Sequence, residues 1–167
     1  METNIFLIGM MGVGKSTIGR LLSEKNNIFF CDLDREIEKI VDMTMQEIFE
    51  IYGEERFRIM ESKLFKECTK SNNHIYATGG GIVLNNNNQY ILKNLGVTFF
   101  LDCSINTINE RIKDELDKRP LIKNNNQETI STLYQIRYPL YKSSAHYIIN
   151  TDSLTPNEVI NKIQSHL

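Results

Sequence analysis

The sequence of 167 residues lacks the features that define several classes of protein. It has no segment near the ~20 consecutive apolar residues that are needed to cross a membrane. It has no excess of basic residues, because 19 Lys and Arg are set against 21 Asp and Glu. Its three cysteines form no CxxC pair, the spacing typical of zinc sites. We therefore expect no membrane anchor, no nucleic-acid partner, no disulfide framework and no zinc site.

The beginning of the chain also lacks the pattern of an export signal. An apolar run follows Glu2 and stops at Gly9, with no basic region before it and no cleavage site after it. Reduced thiols are typical of the cytoplasm, so we expect a cytoplasmic protein. No internal repeat is visible, and the length suits a single domain over residues 1–167.

Five short runs rich in β-branched and aromatic residues are predicted to form strands. They are continuous rather than alternating, as in strands that are buried on both faces. Helical patterns separate them, and strands that alternate with helices predict an α/β fold with a parallel sheet. The runs are "NIFLI" (4–8), "IFFC" (28–31), "HIYAT" (74–78), "VTFFL" (97–101) and "HYIIN" (146–150).

Local signals also predict where some helices begin and end. Thr44 and Glu47 form a capping box that opens one helix, and Gly53 is expected to close it. A further helix is predicted over about 54–70, where apolar residues recur at helical spacing. Pro139 is expected to interrupt the helix that contains "YQIRYPLY".

Two stretches do not follow the alternation of strands and helices. The run "NNNNQ" at 85–89 is predicted to be a polar loop that leads into a helix. The stretch "DELDKRPLIKNNNQE" at 114–128 is charged, aperiodic and contains a proline. A long segment of this kind is typical of a mobile loop, so we expect a lid there.

The stretch "GMMGVGKST" matches the phosphate-binding loop pattern G-x-x-x-x-G-K-[ST]. It follows a predicted strand and precedes a predicted helix, which is the context that the pattern requires. Lys15 would then reach the β- and γ-phosphates of a nucleotide, and the Ser16 hydroxyl would bind Mg²⁺. The alternative is a plain tight turn, which leaves the three glycines of the stretch unexplained.

Two aspartates follow the second predicted strand, at the edge where a parallel sheet binds ligands. In "CDLD", Asp32 and Asp34 are expected to face the metal and the substrate from opposite sides of the strand end. The alternative is that Asp34 only caps the helix "REIEKIV". The guanine-reading motif NKxD is absent, which argues against a GTPase.

Arginine and glycine residues complete the set of predicted site residues. Arg58 and Glu61 share a helix face, a spacing that is also common in solvated ion pairs. Residues 79–81 are three glycines directly after a strand, which indicates a ligand close to the backbone. Arg119 lies in the predicted lid, and Arg137 lies in a predicted helix.

These motifs together resemble the shikimate kinase family, over nearly the whole chain and in the family's order. The resemblance implies a three-layer P-loop sandwich of the nucleoside-monophosphate-kinase type, with strand order 2-3-1-4-5. It implies ATP-dependent phosphorylation of the 3-hydroxyl of shikimate, giving shikimate 3-phosphate and ADP on the route to chorismate. The motifs are "GMMGVGKST", "DLD" with "REIE", "FR" with Glu three residues on, "TGGGIV", "KRPL" and "IRYPLY".

The resemblance also implies a role for each matching residue, substrate-binding helices over about 33–61, a lid over about 112–126 and a monomer. The implied catalytic residues are Lys15, Asp34 and Arg119. The implied shikimate contacts are Asp34, Arg58, Gly80 and Arg137, supported by Gly79, Gly81 and Glu61. The implied ATP contacts are Gly12, Val13, Gly14, Lys15, Ser16, Thr17, Arg111, Arg119, Asp152 and Pro156. The implied Mg²⁺ site uses Ser16 and, through water, Asp32.

One feature departs from the family, and two other functions compete with this interpretation. The predicted lid is more charged and richer in Asn than the Thr- and Gly-rich lid usual in the family. A kinase of the same fold that acts on gluconate is one alternative, but the triple glycine and the paired arginines argue against it. A nucleotide-binding module without catalysis is the other, and it should lack Lys15, Asp34 or Arg119, which are all present.

Overall fold

The computed structural model of the chain describes residues 3–113 and 126–167. Arg119 and nearly all of the predicted lid therefore lie outside the described residues. The strands are β1 (Asn4–Ile8), β2 (Phe29–Asp32), β3 (His74–Ala77), β4 (Gly96–Asp102) and β5 (Tyr147–Asn150). The helices are α1 (Lys15–Asn26), α2 (Leu33–Val41), α3 (Met45–Cys68), α4 (Asn86–Asn94), α5 (Ile105–Ile112), α6 (Asn126–Ser144) and α7 (Pro156–Gln164). A short 3₁₀ helix spans Ile82–Leu84.

The five strands form one parallel sheet in the order β2-β3-β1-β4-β5, as the resemblance implied. β1 is the central strand, and all five of its residues are buried. The two edge strands differ from the prediction of strands buried on both faces. Phe29 of β2 and Ile148 of β5 are exposed, because an edge strand has a neighbour on one side only.

Helices cover both faces of the sheet, which gives the implied three-layer sandwich. On one face, the ring of Phe65 in α3 packs edge-on against Phe6 of β1, with ring centroids 5.4 Å apart. On the opposite face, Gly19 of α1 lies against the ring of Phe30, and α1 contacts α7. The apolar core of the molecule lies between these layers. Within the described ranges, no helix combines the length and the apolar character that crossing a membrane requires.

Helices α2 and α3 form a small unit with its own apolar cluster, made of Ile37 from α2 and of Ile48 and Phe57 from the two parts of α3. The predicted capping box of Thr44 and Glu47 begins α3. At Gly53 the backbone leaves the helical conformation, with φ 74° and ψ 170°, so the first helical segment ends there as predicted and a second one follows after a kink. The kink reorients the second part of α3, which carries the site residues described below.

The prediction of a polar loop at 85–89 is wrong, because this run forms the start of α4. The Asn85 side chain caps the helix by accepting hydrogen bonds from the N–H groups of Asn87 and Asn88. Asn88 is buried and donates hydrogen bonds to Ser62 Oγ at 3.0 Å and to the Ile82 carbonyl at 3.1 Å. These tertiary contacts, together with the cap, outweigh the low helix propensity of asparagine.

Pro139 does not interrupt its helix as predicted, because α6 continues to Ser144. A proline inside a helix costs about 3 kcal/mol, since it removes one backbone hydrogen bond and crowds the carbonyl four residues before it. Here Pro139 and Gln135 are both exposed, so water can satisfy the Gln135 carbonyl. The buried side chains of Arg137 and Tyr141 hold the opposite face of the helix in place.

Candidate active site

A cavity of about 670 Å³ opens above the carboxyl ends of β1, β2 and β3. Most of the predicted site residues meet in this cavity although they come from distant parts of the chain. Of the predicted residues within 3–113 and 126–167, four do not line it, namely Val13, Glu61, Asp152 and Pro156. Those that line it are Gly12, Gly14, Lys15, Ser16, Thr17, Asp32, Asp34, Arg58, Gly79, Gly80, Gly81, Arg111 and Arg137.

The loop between β1 and α1 has the backbone geometry of a phosphate-binding loop. Gly12 and Gly14 have φ of 74° and 100°, a left-handed conformation that residues with a Cβ rarely adopt. A Cβ on Gly12 would also collide with the side chain of Ile112. No side chain caps α1, and the first N–H groups of a helix attract anions. The predicted context of strand, glycine-rich loop and helix is therefore confirmed.

Lys15, the first residue of α1, is buried beneath this loop. Its Nζ donates hydrogen bonds to the carbonyl oxygens of Gly9 at 2.9 Å and Met10 at 2.8 Å. These two contacts hold the ammonium group across the loop, beside the helix N-terminus. A single positive charge is thereby placed at the floor of the cavity.

Asp32 and Asp34 have different local roles, and the alternative reading of Asp34 as a helix cap is wrong. Asp32 is the N-cap of α2, where its Oδ1 accepts a hydrogen bond from the N–H of Arg35 at 3.4 Å. Asp34 lies in the first turn of α2 and not at the strand end. Both carboxylates face the same cavity, so Asp34 is available for chemistry rather than for capping.

Asp34 is held in an environment that favours its protonated form. Its Oδ1 is buried and has no hydrogen-bond partner among the described residues. Burial, together with the negative charges of Glu61 and Asp32, raises the pKa of Asp34 to about 7, although Lys15 and Arg58 oppose the shift. A carboxylate with a pKa near neutrality is suited to accept a proton.

Arg58 and Glu61 form a mostly buried ion pair, which excludes the alternative of a solvated one. Arg58 Nη1 lies 2.8 Å from Glu61 Oε2, and the Glu61 side chain is 1% exposed. Burial raises the pKa of Glu61, and the charge of Arg58 opposes that shift. Although Glu61 does not line the cavity, it fixes the direction of the Arg58 guanidinium that does.

The triple glycine at 79–81 leaves room for these charged groups. A Cβ at Gly79 would collide with Glu61 Oε1 and would lie 2.8 Å from Asp34 Oδ1. A Cβ at Gly81 would collide with the Arg58 guanidinium. Gly79 and Gly81 are thus required by the packing of these ionisable side chains, an explanation that the sequence pattern did not reveal.

Arg137 of α6 reaches the same turn from the other side. It is only 2% exposed, and an ideal Cβ on Gly80 would lie 3.4 Å from its Nη1. No carboxylate among the described residues forms an ion pair with it. A buried guanidinium without such a partner is costly, so the site is suited to an anionic ligand.

Two of the residues implied for ATP beyond the loop, Arg111 and Asp152, form hydrogen bonds with other residues of the protein. Arg111 donates hydrogen bonds to the carbonyls of Val13 at 3.3 Å and Thr151 at 3.5 Å. Asp152 accepts hydrogen bonds from the Ser104 N–H and the Thr107 hydroxyl. These contacts join the phosphate-binding loop, the start of α5 and the segment after β5.

Further residues of the cavity were missed by the sequence analysis. Arg20, Arg35 and Glu38 add charge to its wall, and Met45 and Phe49 add apolar surface. The sequence could have indicated two of them from their distance to Asp34. Arg35 follows Asp34 directly, and Glu38 lies one helical turn after it. Their orientation toward the cavity depends on how α2 and α3 pack, which no local pattern encodes.

The fold and the cavity together define a class of protein. A parallel sheet in this order, with a phosphate-binding loop after its central strand, is the architecture of P-loop kinases. Beside the loop, the same cavity is lined by the carboxylate of Asp34, the guanidinium groups of Arg58 and Arg137, and the glycine turn.

Comparisons with known proteins identify the family. The model of the shikimate kinase family matches residues 11–167. The chain is 44% identical to a shikimate kinase of Caldicellulosiruptor bescii over 97% of this chain and 94% of that protein. It is 45% identical to a shikimate kinase of Thermodesulfovibrio yellowstonii over 96% and 92%. The solved structure of shikimate kinase from Acinetobacter baumannii in complex with shikimate superposes with a TM-score of 0.95, at 35% identity over 99% and 93% of the two chains. This chain therefore belongs to the shikimate kinase family and is a phosphotransferase.

Proposed function

We propose that this chain transfers the γ-phosphoryl group of ATP to the 3-hydroxyl of shikimate, giving shikimate 3-phosphate and ADP for aromatic biosynthesis. The observation that carries the proposal is the buried guanidinium of Arg137, which lies beside the glycine turn and forms no ion pair with a carboxylate of the described residues, although the charge of Glu61 acts on it. Shikimate carries one carboxylate and three hydroxyls on a small ring. A planar guanidinium can match that carboxylate with paired hydrogen bonds.

The acceptor site in this proposal is built around the glycine turn. Arg58 and Arg137 bind the carboxylate, and the backbone at Gly79, Gly80 and Gly81 contacts the ring substituents. Glu61 positions Arg58 through their 2.8 Å ion pair. We assign these residues to the substrate-binding unit of helices over about 33–61 and to the neighbouring turn.

Asp34 acts as the general base in this proposal. Its carboxylate lies in the cavity between the acceptor turn and Lys15, and its pKa of about 7 suits proton transfer at neutral pH. It would accept the proton of the attacking hydroxyl while Lys15 stabilises charge on the transferred phosphoryl group. Positioning and electrostatic stabilisation supply most of the catalysis in phosphoryl transfer.

The nucleotide lies along the loop of residues 12–17 in this proposal, with Mg²⁺ beside it. The hydroxyl of Ser16 and the carboxylate of Asp32 are oxygen donors in the same cavity. They fit a metal that takes few protein ligands and completes its shell with phosphate oxygens and water. When bound, Mg²⁺ neutralises charge on the β- and γ-phosphates.

The remaining ATP contacts are proposed from the resemblance. Arg111, Asp152 and Pro156 lie on the adenine side. Arg119, which falls outside the described residues, is the proposed lid arginine. We also propose a monomer, as the resemblance implies. The three cysteines are free thiols, as in proteins that work in the cytoplasm, where we place this reaction.

An assay of acceptor choice tests the function directly. The release of ADP from ATP should be rapid with shikimate and close to the background rate with gluconate or without an acceptor. Equal rates with and without shikimate would contradict the proposal, and a preference for gluconate would favour the competing sugar-acid kinase.

The carboxylate contacts are tested by a change in the substrate. Shikimate methyl ester should be a poor substrate, because a buried charge-assisted contact is worth about 2 to 4 kcal/mol. Arg137→Ala should discriminate between acid and ester much less than the wild type does, while binding of ATP alone stays unchanged. The measurement is kcat/KM for both acceptors with both enzymes.

Arg56→Ala provides a matched control for this substrate experiment. Arg56 lies on the same helix as Arg58 but is exposed, so its loss should leave the discrimination at the wild-type value. Arg58→Ala should behave like Arg137→Ala, with some loss of stability because it leaves Glu61 buried without its partner. An ester penalty that is undiminished in both variants would rule out the carboxylate contacts.

The pH dependence of the reaction should report Asp34. Since burial raises the pKa of Asp34 to about 7, the carboxylate needed as base is lost as the pH falls through 7. We expect kcat/KM for shikimate to decrease about tenfold per unit below pH 7 and to reach a plateau above pH 8. Mg²⁺ is kept saturating at every pH. A flat profile between pH 5.5 and 8 would contradict the assignment of Asp34 as the base.

A further inference from the structure

Tyr141 has two polar neighbours that both belong to the proposed acceptor site. Its side chain is fully buried in α6, one helical turn after Arg137. Its hydroxyl donates a hydrogen bond to the carbonyl oxygen of Gly80. The Arg137 guanidinium interacts with the same hydroxyl. The Tyr141 hydroxyl therefore contacts both Arg137 and Gly80, both of which are proposed to bind the substrate.

The orientation of the hydroxyl follows from the chemistry of its two neighbours. A guanidinium has only N–H donors and a positive charge, so Arg137 interacts favourably with the oxygen of the Tyr141 hydroxyl and not with its proton. The hydroxyl proton is then directed to the Gly80 carbonyl, which can only accept. Arg137 therefore favours the arrangement in which the Tyr141 O–H points to the Gly80 C=O.

The backbone at 79–81 depends on contacts of this kind for its geometry. Three consecutive glycines have no side chains to restrict their backbone angles. Because the peptide group is planar, a hydrogen bond that fixes the Gly80 carbonyl also fixes the direction of the Gly81 N–H. The carbonyls of Gly79 and Gly81 accept hydrogen bonds from the N–H groups of Ile82 and Leu84, and the phenol adds the contact that fixes the Gly80 carbonyl between them.

The aromatic ring of Tyr141 is itself held rigidly. It stacks on Phe100 of β4 with ring centroids 5.0 Å apart and an interplanar angle of 27°. The hydroxyl also lies 3.6 Å from the sulfur of Met10, in the phosphate-binding loop. The position of the hydroxyl is therefore determined by the sheet and not by the substrate.

We propose that Tyr141 is a positioning residue for the acceptor, which holds the Arg137 guanidinium and the Gly80 peptide in one fixed arrangement. The proposal rests on the function proposed above, because it concerns the same site. Tyr141 does not line the cavity, so it acts through these two groups. A ligand that binds to both of them should be recognised less well when the hydroxyl is removed.

Tyr141→Phe removes the hydroxyl and keeps the stacked ring. We expect KM for shikimate to rise by up to about tenfold, the effect of losing one buried hydrogen bond. KM for ATP should stay within about twofold of the wild type, since Lys15 and the rest of the loop keep their contacts. The measurement is the full dependence of rate on both substrates.

Tyr134→Phe is the matched control. Tyr134 lies on the same helix, and its hydroxyl donates a hydrogen bond to Asp102 Oδ1 at 3.1 Å, away from the glycine turn. This variant also loses one tyrosine hydroxyl contact, so it should lose similar thermal stability but keep KM for shikimate. If Tyr141 only fills the core, its variant will match this control, and the proposal is then overturned.

The ratio of activities with acid and ester gives a readout that does not depend on how much enzyme is folded. Tyr141→Phe should reduce the preference of the enzyme for shikimate over its methyl ester, because Arg137 is no longer held in place. A wild-type enzyme that does not discriminate would contradict the proposed carboxylate site itself. A wild-type enzyme that discriminates, with an equal ratio in Tyr141→Phe, would overturn the role of Tyr141 alone.

Discussion

Lys15→Ala should lower kcat about 10³-fold while leaving the fold intact. Lys15 is the buried ammonium group at the floor of the cavity, held by the carbonyls of Gly9 and Met10. In the proposed reaction it offsets charge that develops between the β- and γ-phosphates. Removing one preorganised charge of this kind costs factors of 10² to 10⁵ in rate. The effect should fall on kcat because the interaction strengthens in the transition state.

The measurement is kcat at saturating ATP and shikimate, together with a thermal unfolding curve. Lys25→Ala is the matched control, because Lys25 lies in the last turn of the same helix and is exposed. It should keep full activity. We expect the melting temperature of Lys15→Ala to change by a few degrees at most, about 1 kcal/mol for a chain of this size. A kcat near the wild-type value would disprove the role of the phosphate-binding loop.

Asp34→Asn should lower kcat about 10²-fold, the usual contribution of a positioned general base. The amide keeps the size of the side chain but cannot accept the proton of the attacking hydroxyl. Binding of shikimate should also weaken, since an amide accepts hydrogen bonds less strongly than a carboxylate. The measurement is kcat and KM for shikimate at pH 8, where Asp34 in the wild type is ionised.

The same substitution should not reduce stability, which separates it from a structural defect. The pKa of Asp34 is higher in the folded protein than in the unfolded chain, so folding is favoured while the carboxyl group is protonated. This contribution to the free energy of unfolding is fully present below the unfolded pKa and is lost as the pH rises through about 7. At pH 8 the wild type therefore carries an unfavourable buried charge that Asp34→Asn removes. We expect a melting temperature at pH 8 equal to or above that of the wild type.

Asp42→Asn is the control for this pair of measurements. Asp42 is the exposed C-cap of the same helix, with a φ of 55° that asparagine also accepts. It should leave both activity and stability unchanged. A fully active Asp34→Asn enzyme would show that another group, or water, removes the proton.

Structural features that depend only on residues adjacent in the chain could be predicted from the sequence. The phosphate-binding loop, the capping box that begins α3, and the five strands all follow from short, contiguous patterns. The strand boundaries were correct to within one residue. The order of the strands came from the resemblance to a family, because parallel strands adjacent in the sheet need not be adjacent in the chain.

Two local predictions were wrong because tertiary contacts outweighed local preference. Asparagines favour loops, yet the run at 85–89 becomes helical where Asn88 bonds to Ser62 and Ile82. Proline ends most helices, yet Pro139 is tolerated on the exposed side of α6, where water can replace the missing hydrogen bond. In both cases the deciding contact lies outside the window that a sequence pattern covers.

The sequence by itself determined which chemical groups are present and in what local order: a lysine after a glycine-rich loop, aspartates after β2, and three glycines after β3. Only the tertiary structure decided their environment. It buries Asp34 against Gly79 near Glu61 and so raises its pKa. It also places Tyr141 against Gly80, 61 residues away in the chain. Burial, separation and pKa depend on groups that are distant in sequence, so no local pattern can contain them.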